Sequence, residues 1–144
     1  FHYRKQFKAP STAEGFDSIK EVPFIRTWGP EYKNKALIVD YDGTLRESTG
    51  PQKYPSKPDE ILMLPGRTEV LKAYEEDDYL LLGASNQSGI ARGSVTREAV
   101  VGVFEETNKR LGLKIDYNFC PHPSNPVMCY CRKPQCGLGA LFIE

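Results

Sequence analysis

The sequence lacks the features that mark membrane proteins, strongly charged proteins and disulfide scaffolds. No apolar run approaches the roughly 18 residues that cross a bilayer. Lysine plus arginine (19) equals aspartate plus glutamate (19), so the net charge is zero and no overall field favours nucleic acid or a lipid surface. Cysteine is absent from residues 1–119, whereas a disulfide framework would spread cysteines along the chain. The 144 residues, 40% of them hydrophobic, fit one domain with a buried core.

Residues 1–34 differ in composition from the rest of the chain. They open with the basic and aromatic run 1–8, followed by a Pro-Ser-Thr-Ala-Glu-Gly turn at 10–15. We interpret that run as a solvated edge rather than a nucleic-acid-binding arm, because it is short. We expect residues 1–34 to form an N-terminal extension or linker and residues 35–144 to form the main domain. Because the first residue is Phe1 and not Met, we expect a processed start or a piece of a longer chain.

Apolar runs alternate with helical spacing after residue 35. Buried strands are predicted at 36–39, 79–84 and 113–119, and residues 46–64 are predicted to be a loop with room for a small hairpin. Helices are predicted after Pro65, from Ser94 or Thr96 to Gly112, and from Leu138 to Glu144. The predicted inward faces of the first two helices consist of Val70, Leu71 and Tyr74, and of Val100, Val103, Phe104 and Leu111. This alternation indicates an α/β fold with a parallel sheet flanked by helices.

Two carboxylates stand at the end of the first predicted strand. Asp40 and Asp42 are two residues apart, so in an extended chain their side chains point the same way. Two neighbouring buried acids are costly unless a cation, a proton or hydrogen bonds compensate. An ordinary Asp-Gly turn at 42–43 explains the pattern equally well when it is considered alone.

Polar groups also follow the later strands. In parallel sheets, ligands bind beyond the carboxyl ends of strands, and Ser85 and Asn86 offer a hydroxyl and an amide there. Arg132 and Lys133 could bind phosphate, the first in bidentate fashion and the second as a point charge. A capping turn and an exposed basic turn are the alternatives for these two pairs. Together the residues predict an anion site at one edge of the sheet.

The four cysteines fall within one short segment together with a histidine. Cys120, His122, Cys129 and Cys131 form C-x-H and C-x-C pairs separated by a proline-rich loop. Three thiolates and one imidazole make a tetrahedral, structural zinc set; a buried cysteine cluster without metal is the alternative. Cys136 is left over. Clustered thiols are typical of a reducing compartment, so we expect a cytoplasmic protein.

Three motifs carry a family resemblance: D-x-D-G-T-L at 40–45, S-N-Q-S-G-I-A-R-G at 85–93 and C-P-H…C-x-C-R-K-P at 120–134. In this order they resemble phosphatases of the haloacid dehalogenase (HAD) superfamily, in the branch of histidinol-phosphate phosphatase and heptose bisphosphate phosphatase. The resemblance covers residues 36 to about 140. It implies a Rossmann-like fold with a minimal cap and a zinc-stabilised loop.

The resemblance also implies a role for each site residue. Asp40 would be the nucleophile that forms an aspartyl-phosphate, and Asp42 the general acid/base. Ser85 and Lys133 would hold the phosphoryl oxygens. Magnesium would be bound by the Asp40 carboxylate and the Asp42 backbone carbonyl.

Further residues are expected around the substrate. The resemblance implies that Arg132 contacts it, and we expect the same of Asn86 and Arg92. Tyr54 and Lys57, on the loop after the Asp pair, are expected to line the entrance together with Arg92.

The sequence departs from the family pattern at the second half of the magnesium site. The family closes that site with a later acidic motif, and after Lys133 the only acid is Glu144. We therefore expect an incomplete metal site, a sheet that is unfinished at its C-terminal end, and weak or absent turnover by these 144 residues.

The leading functional hypothesis is a magnesium-dependent phosphomonoesterase, or a fragment of one, for a small phosphorylated metabolite. Residues 7–16 resemble the end of a P-loop polynucleotide-kinase-like domain. The first alternative is therefore the phosphatase half of a kinase–phosphatase fusion that acts on nucleic-acid ends. The second alternative is a zinc-containing binding module without catalytic activity.

Overall fold

The structure, a computed structural model, describes residues 8–20, 23, 33–126 and 129–143. The chain forms two units, Phe1–Lys33 and Asn34–Glu144. In the first unit every described residue is exposed, and Thr12–Glu14 forms a 3₁₀ turn. The predicted aromatic run 1–8 lies almost wholly outside the described residues.

The described part of the second unit contains strands and helices in alternation. They are β1 Lys35–Val39, β2 Arg46–Ser48, β3 Ile61–Met63, α1 Arg67–Glu76, β4 Tyr79–Asn86, α2 Arg97–Leu111, β5 Asp116–Cys120 and α3 Gly137–Ala140. Strands β1, β4 and β5 form a parallel sheet in the order β1-β4-β5. The predicted parallel sheet with flanking helices is confirmed.

Helix α2 closes the core on one face of this sheet. It begins after Thr96, whose side chain accepts a hydrogen bond from the backbone N–H of Ala99 (3.2 Å), and it ends at Gly112, which adopts φ +65°. The ring of Phe104 lies 4.3 Å from that of Tyr41 and 4.6 Å from that of Tyr117, measured between centroids. Helix and sheet are therefore joined by aromatic packing directly beneath the predicted Asp pair.

The strand and helix bounds differ from prediction at their ends. β4 runs two residues beyond Ala84, because Ser85 and Asn86 pair with the last two residues of β5. β5 begins at Asp116 rather than at Leu113, although Leu113 is buried. The predicted helix from Leu138 is shorter than expected, since α3 ends at Ala140.

The predicted apolar face of α1 is wrong at two of its three positions. Leu71 is buried in the core with Tyr41 and Leu81, whereas Val70 is 55% exposed and Tyr74 38% exposed. α1 contacts the sheet mainly through β4. Tyr74, three residues after Leu71, lies beside it on the helix surface, with its ring 5.1 Å from that of Tyr79 between centroids. Val70 lies farther round the helix. Although Val70 and Tyr74 are apolar, neither side chain is therefore part of the buried core.

Residues 46–63 contain a small hairpin, for which the predicted loop 46–64 had room. β2 and β3 pair antiparallel, and the 3₁₀ turn Pro58–Glu60 precedes β3. This insert is the minimal cap expected from the family resemblance. In the described ranges, no helix combines the length and the apolarity needed to cross a membrane.

Candidate active site and metal centre

A cavity of about 240 Å³ opens beyond the carboxyl ends of the three parallel strands. Its lining consists of Asp40, Asp42, Tyr54, Ser85, Asn86, Ser88, Arg132 and Lys133. Seven of these eight residues were predicted from the sequence; Ser88 is the addition. The parallel order of the strands explains the convergence, because their carboxyl ends meet at one edge of the sheet.

Asp40 and Lys133 form an ion pair at this cavity. The ammonium Nζ lies 2.8 Å from Asp40 Oδ1 and also donates to the backbone carbonyl of Ala84 (2.6 Å). The same carboxylate oxygen accepts the backbone N–H of Tyr41 (2.9 Å). Asp40 keeps 41% of its side chain exposed, so its carboxylate is held by charge and hydrogen bonding and remains open to a ligand.

Asp42 is more enclosed, and both its oxygens are occupied. Arg46 Nε donates to Oδ1 (2.9 Å) and Gln87 Nε2 donates to Oδ2 (2.8 Å). Gln87 Nε2 also lies 3.0 Å from Ser85 Oγ. The two carboxylates therefore differ in environment, which a division of roles between nucleophile and acid/base requires.

Arg46 is a residue that sequence reasoning missed. It is 1% exposed, and its Nη1 donates to the carbonyl of Val103 (2.8 Å) and to Thr107 Oγ1 (2.5 Å) on α2. Its guanidinium lies 4.7 Å from the Phe104 ring centroid. An arginine after an Asp-Gly turn is normally expected at the surface. Only the packing of the hairpin on α2 shows that this one links the core to Asp42.

Asn86 and Ser85 hold other parts of the site. Asn86 Oδ1 accepts the backbone N–H of Lys133 (2.9 Å), and its Nδ2 donates to the Lys133 carbonyl (3.1 Å). The amide thus clamps the lysine backbone from both sides. Ser85 is 1% exposed, with its hydroxyl at the cavity between β4 and Gln87.

Arg132 brings a second cation to the cavity lining. Its Nη1 is buried, and among the described residues it has no hydrogen-bond partner. A buried guanidinium nitrogen without an acceptor is costly. Arg132 is on the cavity lining, so an anion in the cavity would lie near its guanidinium.

The remaining predicted entrance residues divide between two places. Tyr54 lines this cavity and also a neighbouring one, and Arg92 lines only the neighbouring one. Lys57 lies on neither of these two linings.

The predicted metal ligands form one cluster. Cys120 Sγ, His122 Nδ1, Cys129 Sγ and Cys131 Sγ all lie within 4.8 Å of one another. The Cys120 sulfur is 3.6 Å from both the His122 nitrogen and the Cys129 sulfur, and the His122 nitrogen is 3.1 Å from the Cys131 sulfur. A tetrahedral ion at ordinary zinc bond lengths places its ligand atoms roughly 3.3–3.8 Å apart. Two of the three distances lie in that range, and the donor set of three thiols and one imidazole is that of a structural zinc site.

The cluster is anchored in the fold through its first ligand. Cys120 ends β5, is fully buried, and packs with Ala84 and Leu138. Burial and the neighbouring thiols raise the pKa of Cys131 to about 12. A bound divalent cation acts in the opposite direction, since a thiol that coordinates a cation loses its proton. Cys136 lies outside the cluster, with its sulfur against the Tyr130 hydroxyl.

Comparison with known proteins identifies the family. No family model matches the chain. The chain is 31% identical over 114 residues to a protein of Thermoplasma volcanium named "Probable D-glycero-D-manno-heptose-1,7-bisphosphate 7-phosphatase", covering 76% of this chain and 75% of that protein. The chain belongs to the HAD superfamily of phosphatases. A second relative is the D-glycero-beta-D-manno-heptose-1,7-bisphosphate 7-phosphatase of Bordetella bronchiseptica, at 32% identity over 72% of this chain.

Solved HAD structures share the fold. The D,D-heptose 1,7-bisphosphate phosphatase of B. bronchiseptica, solved with magnesium and phosphate, matches with a TM-score of 0.65 and 28% identity over 75% of this chain. A HAD-like phosphatase from Mesorhizobium loti matches with a TM-score of 0.63 and 26% identity over 83% of this chain. The chain spans 59% of the B. bronchiseptica relative and about 60% of the two structures.

Proposed function

We propose that this HAD chain is a magnesium-dependent phosphomonoesterase that acts on a small phosphorylated sugar through an aspartyl-phosphate. The observation that carries the proposal is the pairing of an open Asp40 carboxylate with two cations at one cavity. Lys133 lies 2.8 Å from Asp40, and Arg132 adds a buried nitrogen without an acceptor among the described residues. The names of the relatives support a phosphorylated sugar as substrate.

The proposed reaction has two steps. In the first, an Asp40 carboxylate oxygen attacks phosphorus and the bond between phosphorus and the ester oxygen breaks. Asp42, which must take up a proton from solvent before this step, gives that proton to the leaving oxygen. In the second, Asp42 takes a proton from water, which attacks the phosphorus of the aspartyl-phosphate. Inorganic phosphate leaves, and the Asp40 carboxylate is restored.

The surrounding donors would hold the phosphoryl oxygens during both steps. Lys133 can move from Asp40 to a phosphoryl oxygen because its ammonium carries no second carboxylate partner among the described residues. The Ser85 hydroxyl and the Arg132 guanidinium supply further donors at the same lining. Such donors act where charge develops in the transition state, which makes them effective.

The donor set at the cavity fits magnesium in kind. Magnesium prefers hard oxygen ligands and keeps several waters, and the Asp40 carboxylate and the Asp42 carbonyl would supply two oxygens. When bound, the ion would offset the combined negative charge of phosphate and carboxylate. Zinc in the cysteine cluster would be structural, because all four ligand positions come from the protein.

Hydrolysis of sugar phosphates with magnesium tests this function. We expect slow release of phosphate that Asp40→Asn lowers by about 1000-fold or more, because it removes the nucleophile. Asp116→Asn is the matched control: Asp116 is an exposed acid at the opposite end of β5 and should leave the rate unchanged. Hydrolysis that persists in Asp40→Asn would contradict the proposal.

A further inference from the structure

Gln87 lies where the turn after β4 begins, next to the candidate active site. Its backbone N–H donates to the carbonyl of Cys120 (2.7 Å), the last residue of β5. This bond holds the start of the turn against the neighbouring strand. The side chain reaches back toward the two carboxylates, although Gln87 is not among the residues that line their cavity. The function proposed above assigns it no role.

The side-chain amide of Gln87 contacts two groups that take part in the proposed reaction. Its Nε2 lies 2.8 Å from Asp42 Oδ2 and 3.0 Å from Ser85 Oγ. An amide nitrogen carries two hydrogens, so it can donate one to each oxygen. An oxygen atom in the same place would face the ionised Asp42 carboxylate with no proton between them. The position therefore requires the nitrogen end of the amide.

The contact of Gln87 with Asp42 complements that of Arg46. The buried guanidinium of Arg46 donates to Oδ1 from the side of the core, and Gln87 donates to Oδ2. With a donor on each oxygen, a rotation of the carboxylate costs a hydrogen bond. A carboxylate oxygen offers about two acceptor positions, so Oδ2 keeps one for the proton that Asp42 exchanges in the proposed reaction.

The contact of Gln87 with Ser85 directs a hydroxyl. Ser85 is buried and lines the cavity. A serine oxygen that accepts a hydrogen bond keeps its own O–H free to donate. That O–H can then be given to a phosphoryl oxygen. Gln87 thus joins a group that would hold phosphate to the group that would move the proton.

We propose that Gln87 is a positioning residue, which holds the Asp42 carboxylate in place to protonate the leaving oxygen. This inference rests on the proposed phosphatase function and deepens it, because it names a group that aims the acid. Gln87 acts through Asp42 and not on the reacting atoms. Its loss should therefore slow departure of the leaving group most where that group needs a proton.

Two aryl phosphates of similar shape test the inference. p-Nitrophenolate is a stable anion that leaves without a proton, whereas the more basic phenolate leaves faster when an acid protonates it. The measured quantity is kcat/KM with magnesium, which covers the steps up to departure of the leaving group. We expect Gln87→Met to lower it about tenfold for phenyl phosphate and less than about threefold for p-nitrophenyl phosphate. Asp42→Asn should show the same selectivity with a larger loss.

Three further variants separate positioning from other roles. Ser85→Ala should lower both rates by a similar factor, because it removes a phosphate contact and leaves the acid in place. Gln87→Glu keeps the side-chain shape but puts an oxygen where the donor was, so it should reproduce the selective loss. Gln135→Met is the matched control, since Gln135 is exposed and lies off the cavity lining. Circular dichroism checks folding, and Gln87→Glu replaces Gln87→Met in the comparison if the latter does not fold.

The outcomes separate this inference from the proposed function. Equal losses for the two esters in the Gln87 variant overturn the positioning role, since a general distortion of the site slows both, and they leave the phosphatase proposal standing. Unchanged rates for both esters overturn it as well. A selective loss of the same size in Gln135→Met would also overturn it. If the unchanged protein hydrolyses neither ester, the proposed function fails and this inference fails with it.

Discussion

At the scale of single residues, Arg46 connects the core to the proposed acid/base. Its guanidinium carries an ion pair to Asp42 and hydrogen bonds to Val103 and Thr107. Arginine is rarely buried without a partner of opposite charge. The burial of Arg46 therefore depends on Asp42, and the orientation of Asp42 depends on Arg46.

Replacing Arg46 should be strongly destabilising. Arg46→Met leaves an unpaired, largely buried carboxylate on Asp42, and the cost of breaking a buried pair is about 3–5 kcal/mol of unfolding free energy. Chemical denaturation followed by circular dichroism measures it. Arg97→Met is the control. Arg97 also lies over an aromatic ring, 5.0 Å from the Phe119 centroid, but its side chain is exposed. It should cost about 0.5–1 kcal/mol. Similar losses for the two variants would show that the pair with Asp42 is unimportant.

The sequence predicted the acids and cations of the site better than the groups that hold them. Asp40, Asp42 and Lys133 stand in motifs whose spacing relative to strand ends is local information. Arg46 and Gln87 are long polar side chains, and their contacts with Asp42 depend on how the hairpin and the turn after β4 pack together. That packing involves distant parts of the chain, so sequence spacing does not reveal it.

At the scale of elements, the center of the sheet requires glycine at one position. Gly83 lies in β4 opposite Val39, and a Cβ atom there would collide with the ring of Tyr41. Tyr41 stands between Asp40 and Asp42, fully buried. The close approach of β4 to this ring is therefore part of what places the two acids.

Gly83→Ala should lower stability by about 1–3 kcal/mol, because the Tyr41 ring or the strand must shift to make room. Gly102→Ala is the matched control: in α2 the nearest atom to an added Cβ is 3.9 Å away, and the helix should gain up to about 1 kcal/mol. Thermal and chemical unfolding measure both. A neutral Gly83→Ala would contradict the packing described for β4.

The loop that carries the cysteine cluster, residues 120–131, is a second element whose role can be tested. If one zinc ion holds Cys120, His122, Cys129 and Cys131, the purified protein should contain one equivalent of zinc. Cys131→Ser should lower the zinc content and the melting temperature, because it removes one of four ligands. Cys136→Ser should retain both, since Cys136 lies outside the cluster. Full stability of a zinc-free preparation would refute a structural ion.

Element boundaries were predicted less well than element types. The alternation of apolar runs and helical spacing sufficed for the parallel sheet, because each strand and helix carries its own pattern. The exposure of Val70 and Tyr74 was not predictable, since it depends on which side of α1 meets β4. The late start of β5 at Asp116 likewise depends on which residues of β4 pair with it in the parallel sheet.

At the scale of the whole molecule, the described core belongs to the unit Asn34–Glu144. Its buried cluster runs from Tyr41 to Ile115, and a smaller one joins Ala84, Cys120 and Leu138. The described residues of the unit Phe1–Lys33 are all exposed. The described core therefore lies entirely within residues 34–144.

The central claim is that Asp40 becomes phosphorylated. The most direct measurement is borohydride reduction after incubation with a sugar phosphate and magnesium, followed by peptide mass spectrometry, because reduction converts an aspartyl-phosphate to homoserine. We predict homoserine at position 40 in the unchanged protein and none in Asp40→Asn. If release of the phosphate needs Asp42 as a base, Asp42→Asn should give a stronger homoserine signal. Homoserine at another aspartate, or phosphate release with no modification at position 40 in any variant, would contradict the account.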